Sequence, residues 1–133
     1  MGIFKLNKNS VGYDGERVAE KFLKKLGYKI LERNWCNKRG RRIGEIDIVA
    51  QDKKDDAIVF VEVKSRKVTK DEVDVLPEEQ ITQSKLNKLN RIAEVYIKEN
   101  ELWNSDWRID AVSVLFVDGE KKPRIKHIES VFL

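Results

Sequence analysis

The chain has 133 residues, of which 41% are hydrophobic and 38% charged, with a net charge of +4 and a pI near 9.1. That length and apolar share fit one compact domain, residues 1–133, with a modest core under a heavily charged surface; the basic excess suits a polyanionic partner without requiring one. A single cysteine, Cys36, and a single histidine, His127, exclude an internal disulfide and any Cys/His zinc site within one chain.

Met1 to Asn7 holds no apolar run long enough for a signal peptide, and no later stretch is apolar enough to span a bilayer, so the expectation is a soluble cytoplasmic protein that does not engage membranes. Residues 1 to about 12 read as loosely held. A helical pattern then opens at Asp14-Gly15-Glu16. Val18, Ala19, Phe22, Leu23 and Leu26 recur at spacings of one, three and four, with Arg17, Lys21, Lys24 and Lys25 on the opposite side, and Gly27 ends the run. Glu16 lies about 20° from Leu23 around the helix axis, which leans it toward whatever the helix packs on. The plainer reading of Glu16 is an acid favoured by the helix dipole.

Tyr28 to Asn34 reads as a first strand, and the most basic segment follows. From Arg33 to Arg42 there are five Arg or Lys residues, Arg33, Lys38, Arg39, Arg41 and Arg42, and no acid. A loop of that composition suits a phosphate backbone, and Trp35 within it either stacks on an unpaired base or anchors the loop in the core.

The basic segment leads into Gly44-Glu45-Ile46-Asp47-Ile48-Val49-Ala50 and, after the polar turn Asp52 to Asp56, Ile58-Val59-Phe60-Val61-Glu62-Val63-Lys64-Ser65-Arg66. Both runs are β-branched and alternate, as two strands of a hairpin do. Alternation puts Phe60, Glu62 and Lys64 on one face and Val59, Val61 and Val63 on the other. A Glu-x-Lys pair alone is commonly the solvated face of a strand. Asp47 is harder to dismiss, because a carboxylate at the centre of an apolar strand is costly unless paired or bound to a metal. Two carboxylates on neighbouring strands are what a hard cation such as magnesium takes, and an ammonium two residues along can hold water or offset charge on a phosphate.

Arg66 to Gln80 reads as a loop at the mouth of such a site. A second helix begins between Pro77 and Thr82 and buries Leu86, Leu89, Ile92, Ala93, Tyr96 and Ile97. Lys85 sits at the edge of that face, either exposed or reaching toward the sheet. Trp107 to Val117 is a long strand interrupted by Asp110, which is read first as paired with a lysine or arginine and otherwise as sitting at the margin of the site. Trp103 and Trp107 cover the end of the second helix, Asp118-Gly119 marks a turn, and Ile125 to Phe132 is a closing strand.

Helix, three strands, helix, strand and a terminal hairpin partner give an α/β order that resembles the restriction-endonuclease-like αβββαβ core of the PD-(D/E)XK nuclease superfamily. The sequence is similar to its YraN family of small bacterial proteins described as endonucleases. The resemblance runs from about Gly12 to Val117. It rests on Gly15-Glu16, Leu26-Gly27-Tyr28, Arg33-Asn34, Gly44 to Ala50, Phe60 to Arg66, Lys85 and Arg108-Ile109-Asp110. Two departures, a long Trp35 to Ile43 loop and Ile109 where an aromatic is common, leave the candidate metal ligands untouched. The resemblance implies a mixed central sheet flanked by helices. It also implies that Asp47 and Glu62 bind Mg2+ or Mn2+ with the Val63 carbonyl, that Lys64 orients or activates the attacking water, and that Glu16 supports the metal, its water or Lys64.

The expected activity is metal-dependent phosphodiester hydrolysis, on DNA rather than RNA, with branched DNA among the substrates the same core serves. Recognition falls to Arg33, Trp35, Lys38, Arg39, Arg41 and Arg42, with Arg66, Lys67 and Lys85. The competing reading is a nucleic-acid-binding or protein-interaction module that keeps a nuclease core without turnover. A homodimer would suit cutting of two strands, but no stripe of the sequence marks an interface.

Overall fold

In the structure, a computed structural model, residues 11–73 and 81–131 are described. Their elements run α1 (Val11–Lys25), β1 (Tyr28–Cys36), β2 (Glu45–Asp52), β3 (Ile58–Val68), α2 (Lys70–Val73), α3 (Gln83–Glu99), β4 (Trp107–Val117) and β5 (Arg124–Ile128). The sheet is mixed and ordered β1-β2-β3-β4-β5. β1, β2 and β3 form the antiparallel meander read from the sequence. β4 then returns parallel to β3, and β5 closes the sheet antiparallel to β4. This is the order and mixed pairing of a restriction-endonuclease-like core with one added C-terminal strand.

Each face of the sheet buries one helix. Alternation along β3 sends Val59 and Val61 to the α1 side, where they pack with Ala19, Leu23, Ile48, Val112 and Val114. Phe60 goes to the α3 side with Leu86, Leu89, Ile92, Tyr96 and Ile109. Phe60 meets the rings of Tyr96 and Trp107 edge-on, each at 5.5 Å between centroids. Among the described residues no helix is long and apolar enough to cross a membrane.

Register fixes where the candidate site residues lie. β2 and β3 pair from Gln51↔Ile58 to Ile48↔Val61 and no further, whereas β3 continues beside β4 as far as Val68↔Val117. Beyond Val61 the third strand therefore has a neighbour on one side only. The N-terminal part of α1 and the first turn of α3 reach that same end of the sheet, as the Gly15–Ser65 and Lys85–Glu62 contacts show.

α1 starts at Val11, three residues before the position read from the sequence. Gly12 and Gly15 lower helix propensity and masked the first turn. The glycine at 15 has a tertiary reason: a Cβ there would collide with Cβ and Oγ of Ser65 on β3. Gly15→Ala is expected to destabilise the protein by about 1–3 kcal/mol despite the better helix propensity of alanine. A thermal melt checks this, and adding Ser65→Gly should recover most of the loss.

Other features also differ from the sequence reading. β1 runs on past Asn34 to Cys36, so Trp35 joins Arg33 in the strand and does not belong to the basic loop. β3 runs on to Val68, so Arg66 and Lys67 are strand residues as well; their pairing with Leu115 and Phe116 is a long-range fact that local alternation does not carry. Trp103 is 61% exposed and does not cover α3, although Trp107 does pack on the core beneath it. The readings placed on residues 1–10, 74–80 and 132–133 fall outside the described residues, apart from the start of the second helix. That helix begins at Gln83 behind an N-cap Thr82, whose Oγ1 accepts the Lys85 N–H at 3.2 Å.

Candidate metal centre and nucleic-acid interface

Asp47 stands where β2 and β3 part. The next pair of the ladder would be Asp47 with Glu62, but the strands have separated there. The Val63 N–H instead donates to Asp47 Oδ2 at 2.8 Å. One carboxylate oxygen thus fills the gap left by a missing strand bond, which fixes the side chain beside Glu62 on the neighbouring strand. Glu62 is only 7% exposed, and its Oε1 accepts from Lys85 Nζ of α3 at 2.9 Å. Lys64 follows on the same face of β3 and its side chain also reaches Lys85.

Asp47 borders two clefts. On the α3 side a cleft of about 220 Å³ is lined by Asp47 and Glu62, by Ile43, Gly44 and Glu45 at the start of β2, and by Lys85 and Lys88 of α3. On the α1 side a cleft of about 380 Å³ is lined by Glu16, Arg17, Glu20, Arg33 and Asn34. Glu16 therefore comes from the first helix toward Asp47 from the opposite face.

The electrostatics of this end are unbalanced. Burial first, and the nearby Glu62 charge second, push Asp47 up to about 7; Glu16 adds to the rise, while the Val63 N–H and Lys85 oppose it. Burial likewise raises Glu16, against a hydrogen bond with Asn34 and with the charges of Glu45 and Glu62. A second acidic cluster, around Asp110, behaves in the opposite way. Asp110 is fully buried, yet it accepts from Arg108 Nε at 3.0 Å and the Ser130 N–H at 3.0 Å, and lies 2.8 Å from His127 Nε2. Burial works against its ionisation, but those partners prevail and hold its carboxyl below the usual range. The expectation that Asp110 is paired is met, and it lines neither cleft beside Asp47.

Two neighbouring carboxylates, of which Asp47 is raised by burial and by the charge of Glu62, fit a divalent cation. Among the described residues no three Asp, Glu, His or Cys side chains converge into a closed cage. An open pair suits magnesium, which keeps several waters and takes one or two carboxylates with substrate oxygens. The donors are all hard oxygens: Asp47, Glu62 and the Val63 carbonyl as the strand-borne candidate.

The basic residues divide. Asn37, 8% exposed, donates from Nδ2 to the carbonyls of Arg39 and Arg41, both at 2.9 Å, and accepts the Ile43 N–H at 2.9 Å. That side chain shapes the loop from Lys38 to Arg42 and was not singled out from the sequence, where a lone buried asparagine has no signature. Lys38, Arg39 and Arg41 are exposed on it, while Arg42 bonds Glu45 at 2.7 Å. Arg33 is exposed but engaged by Glu20 through Nε at 2.8 Å. Arg66 and Lys67 lie two and three residues beyond Lys64 on β3.

Trp35 needs correction. It is 7% exposed and packed edge-on against Tyr96 at 4.9 Å, so it anchors the core and presents no face for stacking on a base. Asn34, beside it, was passed over as a site residue. Its positive φ of 49° marks a backbone held in an unusual state, and it lines the α1-side cleft with Glu16 and Asp47 and hydrogen-bonds Glu16.

Comparison with known proteins decides the family. The model of the uncharacterised protein family UPF0102 matches residues 15–114, from the glycine against Ser65 to the core of β4, with every acid and lysine of the site inside it. The chain belongs to UPF0102. This is the YraN family that the motifs resemble. A UPF0102 protein of Syntrophomonas wolfei is 42% identical over 122 residues, covering 92% of this chain and 96% of that protein. One from Caldicellulosiruptor saccharolyticus is 42% identical over 109 residues, 82% and 85% of the two chains. The UPF0102 protein of Alkaliphilus oremlandii is 38% identical over 129 residues and is covered over its whole length, with 96% of this chain.

Proposed function

We propose that this UPF0102 protein is a metal-dependent endonuclease that hydrolyses phosphodiester bonds of DNA, with branched DNA among its substrates. The observation that carries the reading is the convergence of Asp47 and Glu62 where β2 and β3 separate, with Lys64 on the same face of β3. A bound Mg2+ or Mn2+ would supply Lewis-acid polarisation of the phosphate and a more acidic water.

This chain's residues would do the rest. Asp47 and Glu62 hold the cation, with the Val63 carbonyl. The Val63 N–H fixes the Asp47 carboxylate, so its free oxygen is aimed before any ligand arrives. Lys64 orients the attacking water and offsets negative charge that grows on the phosphate oxygens. Glu16, across the gap, accepts a hydrogen bond from water or steadies Lys64. Lys38, Arg39 and Arg41 on the Asn37-shaped loop, with Lys67 and Lys88 and with Arg66 beside them, are the basic groups that would meet phosphates; Arg33 and Arg42 would do so by giving up Glu20 and Glu45. The protein acts in the cytoplasm on this reading.

Asp47→Ala and Lys64→Ala are the direct test. Each is expected to lower cleavage of duplex or four-way-junction DNA by about 10³-fold or more while DNA affinity changes by less than about threefold. Variants that bind DNA and cut it at the wild-type rate would place the activity elsewhere. Salt-dependent DNA binding by a wild type that cuts nothing with either metal would support a binding module instead.

A further inference from the structure

We propose that Lys85 is a built-in counter-ion that competes with the divalent cation for Glu62, so that metal loading releases its ammonium into the cleft. The inference deepens the metal-dependent reading of the site and rests on it.

The first observation is the ion pair itself. Glu62 is 7% exposed, whereas the Lys85 side chain that meets it at 2.9 Å is 41% exposed. The acid is fixed on a strand and nearly dry. The base hangs at the cleft wall on a flexible stem, with room to leave.

The second is the place of Lys85 in its own helix. It is the third helical residue after the N-cap Thr82, whose Oγ1 takes its N–H. A glutamate or glutamine commonly stands there and reaches back to the cap. A cation so close to a helix N-terminus is opposed by the backbone dipole, and the first turn of α3 has no acid to offset it. Local helix chemistry therefore gives no reason for lysine at 85. The reason is tertiary: Glu62.

The third is the geometry of the alternative. With Asp47 and Glu62 side by side, a cation centred between them uses the same Glu62 carboxylate that Lys85 now holds. A monovalent ammonium on one carboxylate gives way to a divalent ion on two. The displaced Lys85 remains in a cleft that also carries Lys88 and lies beside Lys64, where a phosphate is its obvious next partner. Metal loading and the readiness of the cleft for a nucleic-acid backbone are thereby coupled through one side chain.

The test is calorimetric titration of Mn2+ into wild type, Lys85→Met, Lys88→Met and Asp47→Ala, without DNA. Lys85→Met is expected to bind Mn2+ about tenfold more tightly than wild type, because an uncompensated Glu62 is left for the metal. Lys88→Met, which removes an equal charge from the same cleft but no bond to Glu62, should change affinity by less than about twofold. A Lys85→Met affinity equal to or weaker than wild type overturns the proposal, as does an equal gain in Lys88→Met. Absence of binding in both wild type and Lys85→Met overturns the metal reading beneath it. Equal binding by those two, lost in Asp47→Ala, overturns the exchange alone.

A readout on unaltered protein stands beside these variants. The ¹⁵Nζ signal of Lys85 is expected to be protected from solvent exchange in EDTA and to lose that protection at saturating Mg2+. A signal unmoved by bound Mg2+ overturns the proposal.

Discussion

Asp47→Asn is expected to stabilise the metal-free protein at pH 8 while eliminating cleavage. Burial and the Glu62 charge raise the Asp47 carboxyl to about 7 in the folded chain, against an ordinary value of 3.8. An acid raised on folding contributes its full share of stability below the unfolded pKa. That share is lost as pH climbs from about 4 through about 7. Above 7 the wild type carries the whole penalty of ionising Asp47, on the order of 2–4 kcal/mol. Asparagine keeps an acceptor for the Val63 N–H and sheds the charge. The expected result in EDTA is a melting temperature higher by on the order of 10 °C at pH 8, with no gain at pH 4. Saturating Mg2+ should stabilise wild type far more than the variant, since only the former holds a complete pair of carboxylates. An unchanged or lower melting temperature at pH 8 would mean that Asp47 is well compensated without metal.

The second large effect runs the other way. Asp110→Asn is expected to destabilise the fold by about 3–5 kcal/mol at pH 7, because Arg108 and His127 lose their shared buried anion. Arg108 ties that anion further, to Tyr28 Oη at 2.7 Å and to Asp52 at 3.2 Å, so the network joins β1, β2, β4 and the chain after β5. The carboxyl of Asp110 is held below its ordinary value, so its stabilisation is complete above about pH 4 and declines as pH falls through the folded value. Urea unfolding at pH 7 and at pH 3 checks both parts. The gap between wild type and variant should be wide at the first and narrower at the second. A gap below about 1 kcal/mol at pH 7 would show that the network is dispensable.

The contrast between Asp47 and Asp110 separates what a sequence reveals from what it conceals. Both acids interrupt an apolar strand, and the one local hint that separates them is Arg108, two residues before Asp110. Asp110 has Arg108 two residues away on its own strand, together with His127 and the Ser130 N–H brought by the chain beyond the turn; Asp47 has another acid opposite. The register of the five strands shows that one is enclosed by partners and the other faces a second acid. The metal-site candidates themselves were legible because strand alternation is local: Asp47, Glu62 and Lys64 are where period two puts them.

Other features hid behind non-local causes. Trp35 looked like part of a basic loop because a bulge at Leu31 and a left-handed Asn34 obscure the rest of β1. Arg66 and Lys67 look like loop residues until β4 arrives to pair with them. Gly15 reads as a helix opener although it is a packing residue inside α1. Asn37 shapes the basic loop through three hydrogen bonds that no periodicity records. Lys85 could be placed at the edge of a helix face, but its bond to Glu62 depends on how α3 lies on the sheet.

The most direct measurement is calorimetric titration of Mg2+ and Mn2+ into wild type and into an Asp47→Ala, Glu62→Ala double variant, both shown by melting to be folded. Binding in wild type that disappears in the double variant is the expected result. Equal binding in the two proteins, or none in wild type with or without DNA, would contradict a metal centre at the parting of β2 and β3.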